Sequence, residues 1–368
     1  MKVRYSYLQQ QFQHCDELWS DLKRVVDSGD FTLGCRLKDF EEQFADLIGV
    51  RCAIGVNSGT DAIKLSLKAL GVGVGDEVVT AANTFVATVG AIVELGAIPV
   101  FVDCDESFCI NPYQIEQAIT EKTKAIVPVH LTGYVTDMPR VVAIANRFDL
   151  GIVEDACQAI LGSFDGRKAG TWGDAGAFSL HPLKNLNVWA DGGVIVTNNE
   201  KLAETFRLLR NHGLSDRDTV EIMGFNSRLD TIQAVVGSWL IPKIHDITRQ
   251  RIENAAYYDQ YLSAVPGIRI PKRISSSNIV YHLYIVFAEQ RDQLLDYCLQ
   301  QGIEAKVHYP VPIYRQPALR HLGHQEGSFP VTEEHSKTII TFPCDQHLTK
   351  AEMDYVILTV KNFYKLQG

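Results

Sequence analysis

Residues 178–197 read FSLHPLKNLNVWADGGVIVT and hold a lysine, Lys184, between two apolar runs. The runs at residues 176–180 and 193–197 each have the length and composition of a short buried strand. A lysine on a connection between core strands faces a site more readily than bulk solvent, although an ordinary solvated lysine is the simpler alternative. The stretch therefore predicts both a sheet edge and a candidate functional lysine.

Apolar runs alternate with segments of helical periodicity over most of the chain from about residue 52 to about residue 200. Seven runs are strand candidates: CAIGV (52–56), EVVTA (77–81), IPVFVD (98–103), AIVPVHL (125–131), LGIVEDA (150–156), GAFSL (176–180) and GVIVT (193–197). Strands separated by helices in this way predict a wound, mostly parallel α/β sheet.

The pattern changes near residue 241. Residues 245–264 predict a long polar helix, residues around 281–288 and 303–311 a pair of strands, and the segment after residue 347 a final helix. We therefore expect an N-terminal segment and large domain over residues 1–241, and a smaller C-terminal domain over residues 242–368.

Composition excludes several classes of protein. The chain has 368 residues, of which 46% are hydrophobic and 21% charged, as in globular proteins. Its formal net charge of -9 argues against nucleic acid or an anionic membrane as a partner. The first 20 residues lack the apolar core of a signal peptide, so we expect a cytoplasmic protein. Eight scattered cysteines, without zinc-site spacing, predict reduced thiols and no metal.

The first stretch that could meet Lys184 is NSGTDAIKLSLKAL, residues 57–70. It follows a strand, and Ile63, Leu67 and Leu70 then recur at helical spacing. Small residues with free amides at the start of a helix can bind a phosphate group. The alternative is an ordinary helix cap at Ser58 or Thr60.

Two further stretches carry polar residues at the ends of apolar elements. In GIVEDACQA (151–159), Asp155 ends a strand, where open α/β sheets bind ligands, or else it caps a helix. A buried carboxylate there needs a cation or several donors. In GFNSRLDTIQA (224–234), a polar cluster heads a helix, but Arg228 and Asp230 could simply pair at the surface.

One cofactor requires a lysine, a carboxylate and a phosphate cradle together. Pyridoxal phosphate forms an imine with a lysine and needs a carboxylate to keep its ring nitrogen protonated. A carboxylate about 4 Å from a pyridinium contributes roughly 4 kcal/mol at an effective dielectric of about 20, or about three pKa units. Lys184, Asp155 and the helix start near residue 59 therefore predict a pyridoxal phosphate site.

The sequence also resembles the sugar aminotransferases of the DegT/DnrJ/EryC1/StrS family, a fold-type I group of pyridoxal phosphate enzymes, over essentially its whole length. Ten segments in the expected order carry the resemblance: 28–50, 55–63, 73–92, VPVHLTG (127–133), VEDACQA (153–159), FSLHPLKNL (178–186), DGGVIVTN (191–198), RNHG (210–213), 224–234 and YHLYIV (281–286). The resemblance implies a large domain with a mostly parallel seven-stranded sheet between helices, a smaller α+β domain, and a homodimer with shared active sites.

The resemblance implies roles at the cofactor ring. Lys184 would form the Schiff base and, once released by the amino donor, move the proton. Asp155 would pair with the ring nitrogen and Gln158 with the ring hydroxyl. Phe85 would stack on one face of the ring, and Cys157 would pack beneath the other.

The resemblance also implies a phosphate site. Gly59, Thr60 and Ser179 would bind the phosphate from one chain. Asn226 would reach it from the neighbouring subunit.

The chain departs from the family pattern after the lysine. Where relatives usually have the glycine-rich NLGALGDGG, this chain has NLNVWADGG, with Asn187, Trp189 and Ala190. Trp189 is interpreted as a wall that narrows the sugar pocket, in preference to plain core packing.

The implied activity is the transfer of an amino group from glutamate or glutamine to a keto or aldehyde sugar, in particular a nucleotide-linked one, in amino-sugar biosynthesis. Candidate contacts for the sugar and its phosphates are His181, His308, Arg228, Lys306 and Arg315, with structural roles as the alternative for the two histidines.

Relatives that dehydrate sugars replace the lysine by histidine, and a cofactor-binding regulator or sensor of the same fold is a further alternative. A nicotinamide dehydrogenase is excluded, because the run GVGVGDEVV follows a helix and leads into a strand.

Overall fold

A computed structural model describes residues 1–366, and its centre is a seven-stranded sheet. The strands of the chain are β1 (Cys52–Val56), β2 (Glu77–Ala81), β3 (Ile98–Val102), β4 (Thr123–Val127), β5 (Gly151–Asp155), β6 (Ser163–Phe164), β7 (Arg167–Lys168), β8 (Ala175–Ser179), β9 (Gly193–Thr197), β10 (Ile268–Arg269), β11 (Ser277–Asn278), β12 (Tyr284–Ala288) and β13 (Ile339–Phe342). The order in the central sheet is β1-β9-β8-β5-β4-β2-β3.

The central sheet is mostly parallel, as predicted. Only β9 of the seven strands runs antiparallel to both its neighbours, β1 and β8, while the pairs among β8, β5, β4, β2 and β3 are parallel. Each of the seven predicted runs supplies one strand. In the run 125–131, β4 ends at Val127, Val129 still bridges to Asp155 of β5, and a short 3-10 helix (Leu131–Gly133) follows at the edge of the cavity described below.

Helices cover both faces of this sheet. The helices within residues 1–366 are α1 (Leu8–Gln11), α2 (Asp16–Ser28), α3 (Cys35–Ile48), α4 (Gly59–Ala69), α5 (Val86–Val93), α6 (Met138–Phe148), α7 (Glu200–Arg210), α8 (Thr231–Leu240), α9 (Ile244–Leu262), α10 (Arg291–Gln300), α11 (Pro330–Thr338) and α12 (Lys350–Lys365). Helices α2, α3, α6 and α8 pack on one face, and α4, α5 and α7 on the other. Strand residues alternate accordingly: Ile152 of β5 faces the first layer and Val153 the second.

The C-terminal part has its own apolar core, built on the sheet β10-β12-β13 with α9, α10 and α12. Val3 and Tyr7, from the start of the chain, are buried in the same core. The boundary between residues 241 and 242 stays a prediction, and residues 367–368 of the expected C-terminal domain lie outside the described part.

The predicted pairing of residues 281–288 with 303–311 is wrong. Strand β12 pairs with β10 and β13, whereas residues 303–311 make only single bridges, Ile303 with Val3 and Lys306 with Thr341. Pro310, inside the run, has no amide to donate to a ladder. The alternating apolar pattern of this segment therefore reflects packing beside the sheet.

Among residues 1–366 the structure contains no helix with the length and apolar character that crossing a membrane requires.

Glu154 fixes the strand that ends at the candidate site. It is fully buried on β5, next to Asp155, and accepts hydrogen bonds from three backbone amides of residues 170–173 at 2.6 to 2.9 Å. His130 lies 2.9 Å away through Nε2, and its Nδ1 accepts a hydrogen bond from a backbone amide. Nε2 therefore carries the proton and donates to Glu154.

We expect Glu154→Ala to lower the free energy of unfolding by about 3 to 5 kcal/mol, because it leaves several buried donors without an acceptor. Urea denaturation measures this change. Glu204→Ala, at an exposed helix position, is the control and should stay within about 0.5 kcal/mol of the wild type. A loss below about 1 kcal/mol for Glu154→Ala would contradict the structural role of this carboxylate.

Candidate active site

Segments that follow five parallel strands meet at one edge of the central sheet. They follow β1, β2, β4, β5 and β8, and with residues from the C-terminal part they line one cavity of about 310 Å³. The carboxyl ends of parallel strands all reach the same edge, which is where open α/β sheets bind ligands. The cavity is therefore the first place to look for the predicted residues.

The N-terminus of α4 opens into this cavity. Ser58 is its N-cap, and the Ser58 side chain accepts a hydrogen bond of 3.1 Å from the amide of Asp61. Gly59 and Thr60 are the first two helical residues, both line the cavity, and amides at these positions have no acceptor within a helix. The predicted cap is thus present, and the free amides beside it stay a candidate anion site.

Two glycines allow α4 to approach the neighbouring strands this closely. A Cβ added to Gly59 would lie 2.8 Å from both Cys157 Sγ and Ser179 Cβ. A Cβ added to Gly193 would lie 2.2 Å from the carbonyl oxygen of Ser58. Larger residues at either position would push the helix N-terminus away from the sheet.

Asp155 ends β5 inside the cavity and is buried. Its Oδ2 accepts a hydrogen bond of 2.7 Å from Thr88 Oγ1, and its Oδ1 accepts one of 3.2 Å from the Cys157 amide. The hydroxyl of Thr84 lies 2.6 Å from that of Thr88. Asp155 is therefore held by two donors and does not cap a helix.

Lys184 lies in the turn after β8, half-buried at the cavity wall. Its amide donates to the carbonyl of His181 at 2.8 Å, and its own carbonyl accepts from Asn187 Nδ2 at 2.9 Å. Burial lowers the pKa of the Lys184 amine, an effect that the negative charge of Asp155 opposes. A larger fraction of this amine is neutral than for an exposed lysine, which favours nucleophilic and basic chemistry.

Flat and polar side chains surround the space between these groups. Gln158 accepts a hydrogen bond of 2.8 Å from the amide of Thr132, which leaves its Nε2 as a donor at the cavity. Phe85 is 51% exposed, and its ring centroid lies 5.8 Å from that of Tyr309. Cys157 also lines the cavity. An exposed aromatic ring at a cavity is a surface for stacking a flat ligand.

Three histidines, His181, His282 and His308, line the same cavity together with Lys306. Burial, with nearby positive charge, lowers the pKa of His308 to about 4. Burial and the charge of Lys184 also lower the pKa values of His181 and His282. Among the described residues, His282 Nδ1 has no hydrogen-bond partner.

Sequence reasoning assigned no role to Thr88, His282 or Tyr309. Thr88 and His282 both lie within matched segments, so a signal existed for them. Tyr309 directly follows His308 in a loop, and nothing in its local pattern indicated its place in the cavity.

Asn226 does not reach this cavity within its own chain. It is exposed and lines a separate cavity of about 240 Å³ together with Phe31 and Arg228. Arg228 donates to Asn211 Oδ1 at 2.9 Å and not to Asp230. Among the positively charged candidates for contact with the phosphates of the sugar, Lys306 therefore lines the active-site cavity, whereas Arg228 does not.

Arg315 also lies away from the cavity, 3.8 Å from the Glu326 carboxylate.

Trp189 is not a wall of this cavity, so the favoured interpretation of it is wrong for its own chain. Its ring packs 5.7 Å from Phe12 and 5.2 Å from Trp19, measured between centroids. Its amide donates to Gln233 Oε1 at 2.9 Å. The indole packs against the N-terminal helices because the chain turns away from the sheet edge after Lys184.

Comparison with known proteins finds solved structures of the same fold and identifies the family of this chain. Residues 14–361 match the DegT/DnrJ/EryC1/StrS aminotransferase family. The chain belongs to this family. A solved structure of Streptomyces venezuelae DesV, in complex with a ketimine intermediate, matches with a TM-score of 0.96 and 37% identity over 98% of both chains. The predicted fold-type I architecture is thereby confirmed.

Two curated relatives illustrate the range of names in the family. A dTDP-3-amino-3,4,6-trideoxy-alpha-D-glucose transaminase of Streptomyces venezuelae is 38% identical over 93% of this chain and 90% of its own. A protein of Geobacillus stearothermophilus called pleiotropic regulatory protein is 40% identical over 99% of both chains. The chain is an enzyme of the sugar aminotransferase class, as its sequence predicted.

We expect Thr88→Val to lower the free energy of unfolding by about 1 to 3 kcal/mol, because it removes a donor from buried Asp155 while keeping the shape of the side chain. Urea denaturation of the cofactor-free protein measures the change. Thr88→Ser keeps the hydroxyl and should be less destabilised. Equal stability of Thr88→Val and the wild type would show that this hydrogen bond contributes nothing net.

Proposed function

We propose that this enzyme uses pyridoxal phosphate to transfer an amino group from glutamate or glutamine to a keto or aldehyde sugar, nucleotide-linked in its natural form. The observation that supports this most strongly is the meeting of Lys184, Asp155 and the N-terminus of α4 in one cavity. These groups come from three separate strand ends. Together they are the lysine, the carboxylate and the phosphate cradle that this cofactor needs.

The residues present fit the phosphate of the cofactor. Gly59 lets the start of α4 lie directly against Ser179, which lines the same cavity and carries a hydroxyl. The amides of Gly59 and Thr60 would donate to phosphate oxygens at the positive end of the helix. The site thus binds an anion without relying on the net charge of the protein, which is -9.

When bound, pyridoxal phosphate supplies a carbonyl that reacts with amines and a ring that withdraws electrons from the reacting carbon. Asp155 would hold a proton on the ring nitrogen, with its carboxylate fixed by Thr88 and the Cys157 amide. This charge pair is worth roughly 4 kcal/mol at an effective dielectric of about 20.

Lys184 would both attach the cofactor and move the proton. Its lowered pKa leaves Nζ more often neutral, as a base must be before it takes a proton from the amino donor. The protonated Nζ would then return that proton at the neighbouring carbon. The Asp155 carboxylate in the same cavity would stabilise the protonated amine during the transfer.

Phe85, Gln158 and Cys157 would fix the plane of the ring. Phe85 offers an aromatic face, and Gln158 Nε2 a hydrogen bond to the ring hydroxyl. Cys157 would pack against the opposite face as a neutral thiol, because burial raises its pKa well above the usual value. These contacts keep the reacting bond in one orientation.

The sugar would enter from the side of Lys306, His308 and His181. Lys306 is exposed at the cavity and is suited to a phosphate of a nucleotide-linked sugar. The name of the Streptomyces venezuelae relative, a dTDP-sugar transaminase, supports this acceptor class. Both histidines are suited to contact sugar hydroxyls.

We also propose a homodimer in which Asn226 completes the partner's phosphate site. Its exposure, and its place in a separate polar cavity beside Asn57, support a role outside its own chain. Asn57 directly precedes the Ser58 cap of α4. A second copy seated here would therefore lie close to the phosphate cradle.

The regulatory and dehydratase alternatives receive less support. A dehydratase of this family would have histidine in place of Lys184. A sensor would not need both Lys184 and the buried Asp155. The regulatory name of the Geobacillus stearothermophilus relative makes a direct test of turnover essential.

The test is a panel of nucleotide-linked and free keto sugars, with glutamate and glutamine as donors, read by mass spectrometry. We expect a mass change from keto to amino sugar for at least one acceptor, and none with Lys184→Ala. Borohydride should fix the cofactor on Lys184 in the wild type. Fixation on another lysine, or no amino sugar from any acceptor, would contradict the proposal.

Shared sites predict complementation between two inactive variants. Lys184→Ala and Asn226→Ala homodimers should each be impaired, the second through weaker cofactor binding. In a mixed dimer, one of the two sites keeps both native residues, so activity should recover to at most about half of the wild type per dimer. No recovery after subunit exchange, verified by mass spectrometry, would count against the shared site.

A further inference from the structure

The loop that follows Lys184 is held by residues that lie outside the cavity. Asn187 Nδ2 donates to the Lys184 carbonyl at 2.9 Å. Asn187 Oδ1 accepts from Gln11 Nε2 of helix α1 at 3.0 Å. Asn187 is 2% exposed and Gln11 is 9% exposed, so both amides depend on each other for hydrogen bonding.

The same chain of hydrogen bonds continues into the C-terminal part. Gln11 Oε1 accepts from Gln346 Nε2 at 2.7 Å, and Gln346 Oε1 accepts from Arg251 Nε at 3.0 Å. Arg251 Nη1 donates to the carbonyl of Tyr281 at 3.1 Å. Tyr281 directly precedes His282, which lines the same cavity as Lys184.

A second and shorter connection runs beside it. Asn185 Nδ2 donates to the carbonyl of Val280 at 3.1 Å. The loop after Lys184 is therefore joined to residues 280–282 by two routes. One runs directly from Asn185, and the other runs through Asn187 and Gln11. Only the route through Gln11 requires the first residues of the chain.

We propose that Gln11 and Asn187 are positioning residues that hold the backbone of Lys184, so that the N-terminal helix α1 is a working part of the active site. This inference rests on the proposed role of Lys184. Neither side chain touches the cavity, so each acts through the backbone that carries the lysine. Asn187 is one of the positions where this chain departs from the glycine-rich pattern of its family.

The physical reason lies in the path of the backbone. The Lys184 amide is already bonded to the His181 carbonyl, and Asn187 fixes the Lys184 carbonyl on the other side. Without the Asn187 amide, the partly buried Lys184 carbonyl and the Gln11 Nε2 donor both lose a partner. The turn would relax to satisfy them, and a shift of about 1 Å in a reacting group can cost about a hundredfold in rate.

The test compares Asn187→Ala, Gln11→Ala, the double variant and the control Gln9→Ala. Gln9 lies on the same helix but is exposed. With an acceptor and donor found active with the wild type, we expect kcat to fall about tenfold in both single variants, with KM changing less than about threefold. The double variant should lose little more than Asn187→Ala alone, because both changes break one connection. Gln9→Ala should match the wild type.

Hydrogen exchange of the cofactor-free proteins gives a second measurement that does not require activity. We expect faster amide exchange within residues 181–189 in Asn187→Ala and Gln11→Ala, with unchanged exchange in β2 and β4 of the central sheet. Unchanged exchange in this loop, or kcat values equal to the wild type, would overturn the proposal. Fully additive losses in the double variant would do the same.

The two measurements also separate this inference from the proposed function. If no variant, the wild type included, produces an amino sugar, the proposed function fails and hydrogen exchange alone decides whether Gln11 holds the loop. If Asn187→Ala does not fold, Gln11→Ala carries the test, because it removes the same connection from a short surface helix.

Discussion

The contact of the α4 N-terminus with β8 and β9 is the constraint on which the site depends. Gly193 lets the Ser58 carbonyl lie against the start of β9, and Gly59 lets the helix start lie against Cys157 and Ser179. This contact brings backbone amides to the strand ends that carry the other functional groups. Gly193, the second residue of the glycine pair after Lys184, thus serves the same site as the lysine.

Two neighbouring acids on β5 show how one strand serves both stability and chemistry. Successive side chains of a strand point to opposite faces. Glu154 binds the amides of residues 170–173 and His130 within the core, whereas Asp155 reaches the cavity. The fixed position of Asp155 follows in part from the anchoring of Glu154, since the two share one backbone.

The sequence predicted the central sheet and many of the residues that line the cavity, because both depend on local patterns. Strand runs, a helix cap and residues at strand ends are visible within a few positions of each other. Pairing between distant segments leaves no such local signal. For this reason residues 303–311 were assigned to the wrong strand pair, and Trp189 was assigned to the wrong side of its loop. The connection from Asn187 to Gln11 spans 176 positions, so only the folded structure reveals it.

The charge state of the cavity decides which residues can bind an anion. With a pKa of about 4, His308 is almost entirely neutral at pH 7, and the pKa of His282 is also well below its usual value. Their imidazoles therefore offer hydrogen bonds but no positive charge. The remaining sources of positive potential among the lining residues are the N-terminus of α4 and the two lysines, Lys184 and Lys306. The two groups that we propose as ligands, the cofactor and a nucleotide-linked sugar, both carry phosphate, so separate sources of positive potential suit both of them.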